Sequence, residues 1–541
     1  MLSRLDDSRV CVNRTEEWRL HDGIERESVI VIGAGAGGLV SAAMLAAQGL
    51  DVTVVEAAAA PGGKMRSMPA GPAQVDGGPT VFTMRPVFDA IFAACDARLE
   101  DYLTLSPATT LARHAWGADR LDLHADRERS IDAIGDFAGA EEARGYRRFC
   151  DEAERIYRAL EKPFILGPRP TQLSLAWAMA LANPADLLTT RPFQSLWRGL
   201  GDYFRDVRLR QLFGRYATYC GASPYRCPAT LMLIAHVEAS GVWLLDGGMH
   251  ALARALEALA VRHGARFRYA SPVRTILTDQ RGVTGVELAS GERLHARRVI
   301  CNADPAALAD GRFGADVAHA APPMPPARRS LSALVWTTHS ETSGFPLAHH
   351  NVFFSGDYAA EFAALDAGRV PDAPTVYICA ADRPSDGGPA TGRERLQILV
   401  NAPALGDRVT LSHAEVEQCQ SRMIACLARS GLSVELPPET TILSTPATFE
   451  ALFPSTGGAL YGRASHGSVA AFRRPTSHTR VPGLYLAGGA THPGPGVPMA
   501  ALSGRLACAT LLKDLASTRR SALAAMPGGI STQPATTGAT G

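Results

Sequence analysis

Three glycines and one acid near the start of the chain have the spacing of a dinucleotide site. Gly33, Gly35 and Gly38 form a G-x-G-x-x-G pattern directly after the β-branched run Val29-Ile30-Val31-Ile32, and Glu56 lies 23 residues beyond Gly33. The first glycine permits a tight strand-to-helix turn, the second lets backbone approach a pyrophosphate, and the third lets helix and strand pack closely. Amides at the helix start then face the phosphates, and the acid can accept hydrogen bonds from ribose hydroxyls. A second such turn lies far downstream. Leu484-Tyr485-Leu486 runs into Gly488-Gly489, and Thr491-His492-Pro493-Gly494-Pro495-Gly496-Val497-Pro498-Met499 leads into a small-residue helix over 500–512. A helix N-terminus here suits an electron-rich ring that becomes anionic on reduction. Two histidines in notable clusters, His350 and His492, are candidates for moving a proton, since imidazole titrates nearest neutrality. No Ser-His-Asp order, metal-ligand spacing or Walker loop competes, and no metal is expected.

The elements that must hold these groups define an α/β chain with a discontinuous Rossmann-like domain. A small-residue helix over 37–48 ends at Gly49, a C-terminal cap, and a second apolar strand spans 52–55. Short strands are predicted over 267–269, 273–277, 283–288 and 298–301, and the last motif returns to the first domain more than four hundred residues later. The dinucleotide domain is therefore read as 28–105, 226–320 and 478–515. A mixed α+β second domain takes 106–225 and 327–477, with strands over 332–337, 352–355, 375–379 and 397–401 and a charged helix over 413–429. The proline-rich stretch 321–326 links the two. Residues 1–27 read as a flexible extension and 516–541 as a disordered tail rich in small residues.

Composition excludes several classes. A formal net charge of +1 gives no electrostatic reason for a nucleic-acid partner. Ten cysteines without a C-x-x-C pair suit a reducing compartment and buried thiols. Residues 1–27 lack the apolar core of a secretory signal, and no run reaches the ~18 apolar residues of a membrane-spanning helix. The stretch 163–197 is nevertheless apolar, with Trp177, Phe193 and Trp197 inside it and Arg169, Arg191 and Arg198 at its flanks. It fits either a pair of buried helices or a segment lying in a membrane interface.

Pro61-Gly62-Gly63-Lys64, just after the acid, resembles the nucleotide loop of the flavoproteins that include amine oxidases and carotenoid desaturases, in which arginine usually stands at Lys64. With HPGPGVPMAALSGRLA over 492–507 and GGALYGRASHG over 457–467, the chain resembles the phytoene dehydrogenase family of carotenoid desaturases over about 28–512. Within it, the wording is similar to the hydroxyneurosporene (methoxyneurosporene) branch, the 1-hydroxycarotenoid 3,4-desaturases of purple bacteria. The resemblance implies bound FAD, an acyclic carotenoid substrate and a peripheral site on the cytoplasmic face of a bacterial membrane; the electron acceptor is left open among quinone, oxygen and another carrier. It implies that Gly62, Gly63 and Lys64 extend the FAD loop, that Asp76–Thr80 lies close to the flavin, that Val273 meets the adenine, and that Asn302, Gly488, Gly489, Gly496, Val497 and Met499 lie near the cofactor. Met249, Trp243, Phe353, Phe354, Tyr461 and Met499 are candidates to line a tunnel for such a substrate, each of a type that more often belongs to ordinary core. The other functions considered are a phytoene desaturase, a flavin amine oxidase and a non-catalytic lipid escort protein.

Overall fold

A computed structural model describes residues 27–182, 190–388 and 392–524. The apolar run at the start becomes the strand Ser28–Ile32, central in a five-stranded parallel sheet. Asp51–Val55 pairs with it on one side and Arg298–Cys301 on the other. Arg266–Arg268 and Leu484–Leu486 close the two edges. Strands from four distant parts of the chain thus share one sheet, as a parallel order demands of crossover connections. The helices Ala36–Ala47, Gly248–Arg262 and Val497–Ala524 pack on this sheet through one apolar core that includes Leu39, Leu252, Leu256 and Leu502.

The second sheet has seven strands. In order these are Thr441–Ser444, Ser332–Ser340, Glu394–Ala402, Val376–Ala380, His350–Phe353, Thr110–Trp116 and Asp119–His124. Side chains alternate across a strand, so one face carries Trp336, Ile378, Ile398 and Phe353 onto the helix His413–Arg429. The opposite face is different. His350 pairs with Cys379, Cys379 with Gln397 and Gln397 with Thr337, which sets a row of polar side chains across four adjacent strands. Val352, Tyr377, Leu399 and Val335 form the row beside it. A helical layer including Ala140–Leu160 and Val207–Gly214 packs near this face through Phe149, Leu212 and Phe213.

Three expectations change. The last helix does not stop at 512 but continues to Ala524, so 516–524 belong to a helix and not to a disordered tail. Residues 1–26 and 525–541 lie outside the described residues. The buried-helix alternative for the apolar stretch also fails where the chain is described. Gln172–Ala182 is a helix with Leu173 70%, Trp177 62% and Leu181 81% exposed, and Phe193 is 92% exposed, whereas Ile165, Leu175 and Leu196 are buried. The remainder of that stretch, 183–189, lies outside the described residues. Finally, Phe353 is no tunnel residue: it faces the far side of the sheet, against Phe345.

The packing of the first and last helices turns on one point. A Cβ at Gly504 would lie 2.3 Å from the carbonyl oxygen of Gly37. Overpacking of this kind costs typically ~1–3 kcal/mol. Gly504→Val is expected to lower the thermal midpoint and release flavin together, whereas Gly356→Ala, with nothing within 4 Å, should do neither; circular dichroism and absorbance on the same samples test this.

Candidate cofactor cradle and sheet floor

The two glycine turns converge. Gly35 caps the first helix with no side-chain bond, and no acidic residue occupies the first turn, so its free amides stay available to an anion. Gly62 donates its backbone N–H to Ala34 O (2.8 Å), which lays the 61–64 loop beside that turn. A Cβ on Gly63 would come within 3.2 Å of Gly35 Cα, and one on Gly38 within 2.0 Å of Gly33 O. The cradle is therefore built of backbone that side chains would fill, which is the surface a pyrophosphate needs. Asn302, at the end of its strand, is the common neighbour: its amide would lie 2.7 Å from a Cβ at Gly35 or Gly37 and 3.0 Å from one at Gly488. Its own backbone N–H donates to Ile32 O, and that of Ala487 donates to Cys301 O.

Glu56 stands at the mouth, its carboxylate accepting from the amides of Ala34 (2.6 Å) and Ala58 (2.8 Å). Backbone bonds from Ala270 to Ala58 and from Ser271 to Glu56 bring the segment before Val273 alongside. Val273 itself opens an antiparallel strand and packs against the core on the other side of the sheet.

The second turn is held from outside. Arg474, buried to 2% exposure, donates to the carbonyls of Tyr461, Arg463 and Gly489. Thr491 donates to Gly488 O, and Arg505 reaches Leu166 O. Lys64 does not reach back over the cradle. Its ammonium donates to Leu460 O (2.6 Å) and sits 5.1 Å from the Phe453 ring. Burial pushes Lys64 down from the usual lysine range, against the pull of Asp304, and brings Arg474 down to about 10. Two desolvated cations thus flank the glycine turns, where an anionic cofactor would restore their charge pairing. A Cβ at Gly489, Gly494 or Gly496 would make only ordinary van der Waals contacts, at 3.8–4.0 Å, Val497 is buried, and Met499 is half-buried against the nucleotide core.

The two histidines separate. His492 lies in the second turn, with Nε2 on Gly167 O (3.0 Å) and a buried, unpartnered Nδ1; burial holds it at about 4. Because a carbonyl only accepts, Nε2 carries the proton and Nδ1 the lone pair. His350 lies on the floor of the second sheet, with Nδ1 bonded to Tyr377 Oη (2.8 Å) and Nε2 buried and unpartnered; burial and the neighbouring His349 hold it well below the usual histidine range.

Residues that the motifs do not single out join cradle to floor. Gln397 donates to Asp76 O (2.9 Å) and Gly78 O (2.8 Å), and Thr80 bonds Tyr377 Oη at 2.6 Å. The same Asp76–Thr80 segment crosses the nucleotide loop so closely that a Cβ on Gly78 would meet Lys64 O at 1.7 Å. Asp76 accepts the amides of Met249 and His250 at the start of the Gly248–Arg262 helix, and burial raises its carboxyl. A cavity of about 420 Å³ opens between, lined by Thr80, Met249, His349, Cys379 and Gln397 among others. The DGGPT stretch was the one signal for this junction; Tyr377 and Gln397 carry none. Of the remaining tunnel candidates, Trp243 stacks under Arg85, Phe354 packs on Trp116, and Tyr461 lies against Gly221. Arg169 turns inward to the carbonyls of Phe472 and Arg474, and Arg191 pairs with Asp202.

Comparison with known proteins agrees with this geometry. A family model described as flavin containing amine oxidoreductase matches residues 36–512. The chain is 52% identical over 513 residues to a hydroxyneurosporene desaturase of Rubrivivax gelatinosus, covering 94% of this chain and 98% of that protein. It is 47% identical over 493 residues to a hydroxyneurosporene desaturase of Cereibacter sphaeroides, covering 91% and 99%. A solved putrescine oxidase variant redesigned in its cofactor binding shares the fold at a TM-score of 0.56 and 16% identity, over 91% of this chain and 99% of its own.

Gly35→Val would drive side-chain atoms into both the Asn302 amide and the pyrophosphate space. Purified Gly35→Val protein is expected to remain folded and colourless, losing the flavin absorbance near ~450 nm that the cofactor itself carries.

Proposed function

The chain belongs to the flavin-containing amine oxidoreductase family, on its carotenoid-desaturase branch, and from that premise we propose that it introduces the C-3,4 double bond of acyclic hydroxy- or methoxycarotenoids. The 52% identity to a hydroxyneurosporene desaturase over nearly the whole of both chains carries this reading. The cofactor is FAD, and it supplies the hydride acceptor. In our reading Gly33, Gly35, Gly38, Gly62 and Gly63 face its pyrophosphate, Glu56 its ribose and the strand start at Val273 its adenine. Asn302, Gly488, Gly489, Gly496, Val497 and Met499 surround its ring end, with Lys64 and Arg474 supplying positive charge.

Desaturation removes a hydride from one carbon and a proton from its neighbour. Positive charge left by the hydride spreads into the adjoining polyene and makes the neighbouring C–H acidic, so a weak base suffices. The Nδ1 lone pair of His492, beside the second turn, is the acceptor we assign. What remains for the protein is to exclude water and align one C–C bond, a positioning task worth several powers of ten in rate.

So apolar a substrate is stored in lipid, and no described helix is long and apolar enough to cross a membrane. We propose that the exposed Leu173, Trp177, Leu181 and Phe193 seat the protein on the cytoplasmic membrane surface, where a quinone in the same bilayer, or oxygen, takes the electrons. Charge at an apolar interface is costly, so Trp177→Glu combined with Leu181→Glu should abolish flotation with liposomes while flavin stays bound. Unchanged flotation would place the contact elsewhere.

The activity itself is tested by anaerobic reduction of bound flavin. 1-Hydroxyneurosporene is expected to bleach the flavin rapidly and phytoene slowly or not at all. Rapid bleaching by phytoene alone would instead assign the chain as a phytoene desaturase.

A further inference from the structure

The floor of the second sheet holds a polar feature that a hydrocarbon substrate would not need. Thr80, Tyr377 and His350 form a chain of hydrogen bonds, 2.6 Å from Thr80 Oγ1 to Tyr377 Oη and 2.8 Å from Tyr377 Oη to His350 Nδ1. The chain ends at His350 Nε2, which is buried and has no partner. Leaving such an atom unpaired is unfavourable, so a partner placed there gains affinity. A ring nitrogen of His350 lies within 4.8 Å of ligand atoms of Cys379 and His349, and both of these line the 420 Å³ cavity. The first member, Thr80, lines that cavity as well. Its segment is fastened to the same floor by Gln397 and packs against the nucleotide loop at Lys64.

We infer that His350 is the specificity-determining residue for the oxygenated end of the carotenoid, donating a hydrogen bond from Nε2 to the oxygen on C-1 through a tautomer set by Tyr377 and Thr80. This deepens the reading of a hydroxycarotenoid 3,4-desaturase and rests on it. The position is chemically apt, because an oxygen on C-1 stands only three bonds from C-3, and fixing it fixes which bond meets the flavin.

The chain can donate in either of two directions. If the Thr80 hydroxyl donates to Tyr377 and the Tyr377 hydroxyl donates to His350 Nδ1, each hydrogen in the chain has an acceptor and only Nε2–H is left over. In the reverse direction Nδ1–H donates to Tyr377 and Tyr377 to Thr80, and the Thr80 hydrogen has no acceptor among the described hydrogen bonds. Each arrangement leaves one hydrogen without an acceptor, Nε2–H in the first and the Thr80 hydroxyl hydrogen in the second; our assignment takes the first, which alone makes Nε2 a donor to the substrate oxygen. A donor accepts either a hydroxyl or a methyl ether as its partner, whereas an Nε2 lone pair would take the hydroxyl alone. Phytoene and other hydrocarbons leave the donor unpaired, which is how a polar site rejects an analogue lacking the group.

The test uses the FAD-loaded full chain with three substrates that share one polyene: the 1-hydroxy compound, its 1-methyl ether and the parent hydrocarbon. Single-turnover flavin reduction and substrate Kd are measured for each. Wild type should favour both oxygenated substrates over the hydrocarbon by roughly 10-fold or more. In His350→Phe that preference should fall at least tenfold, while His350→Gln, which can present an N–H near the same place, should recover part of it. Tyr377→Phe frees the tautomer and should weaken the methyl ether more than the hydroxyl compound. If His350→Phe retains flavin and the wild-type preference, the inference is overturned, with the desaturase reading intact. If His350→Phe cannot be obtained with flavin, an equal effect of Tyr377→Phe on ether and alcohol overturns it. Failure of wild type to be reduced by any oxygenated substrate would instead overturn the desaturase reading.

Discussion

Two helices that start 461 residues apart touch where neither has a side chain. The carbonyl of Gly37 lies so near Gly504 that any Cβ would collide, and Ser41 Oγ donates to the carbonyls of both glycines. That contact brings the ends of both glycine turns to the same place. Without it the first helix would present its amides to a phosphate with no ring-binding end opposite, and the second turn would have nothing to close against. Asn302 completes the junction, since its amide sits among Gly33, Gly35, Gly37 and Gly488. The cofactor cradle is thus a property of close backbone packing, enforced by five glycines and one amide. Few side chains enter it.

Charge follows from the same packing. Lys64 and Arg474 are drawn out of water beside the turns, and burial lowers both. Their hydrogen bonds go to main-chain carbonyls, which hold them in place without neutralising them. A cofactor that carries phosphates and becomes anionic on reduction restores what desolvation took away. Lys64 gives one point charge on Leu460 O where an arginine would present a planar fork.

The substrate side obeys a different rule. The lower sheet buries its apolar face on a helix in the ordinary way, and its other face carries His350, Cys379, Gln397 and Thr337 in one row. Gln397 uses its amide to hold Asp76 and Gly78 down, so the segment next to the nucleotide loop is anchored to the floor beneath. Cradle and floor are one mechanical unit.

Local pattern was enough for the parts whose physics is local. Four β-branched residues followed by G-x-G-x-x-G specify a strand, a tight turn and a helix, because conformational freedom and close approach at those positions admit only glycine. The second turn at 484–499 was legible for the same reason, and with it the fold class, whereas the flavin followed only from the family resemblance of these motifs. The helix over 413–429 also followed from its charged pattern, and in the structure a Ser412–Glu415 capping box closes its start. Three features were not legible. Periodicity cannot say which apolar helix faces water, so the exposure of Leu173, Trp177 and Leu181 emerged only when the core was filled by other side chains. Nor does it say which face a strand residue takes: strand alternation and the neighbouring helix turn the tunnel candidate Phe353 to the far face. And it left His350 and His492 equivalent. Sheet register put one beneath Thr80 and Tyr377 and packing put the other against Gly167, because hydrogen-bond partners hundreds of residues away in sequence are chosen by the tertiary fold.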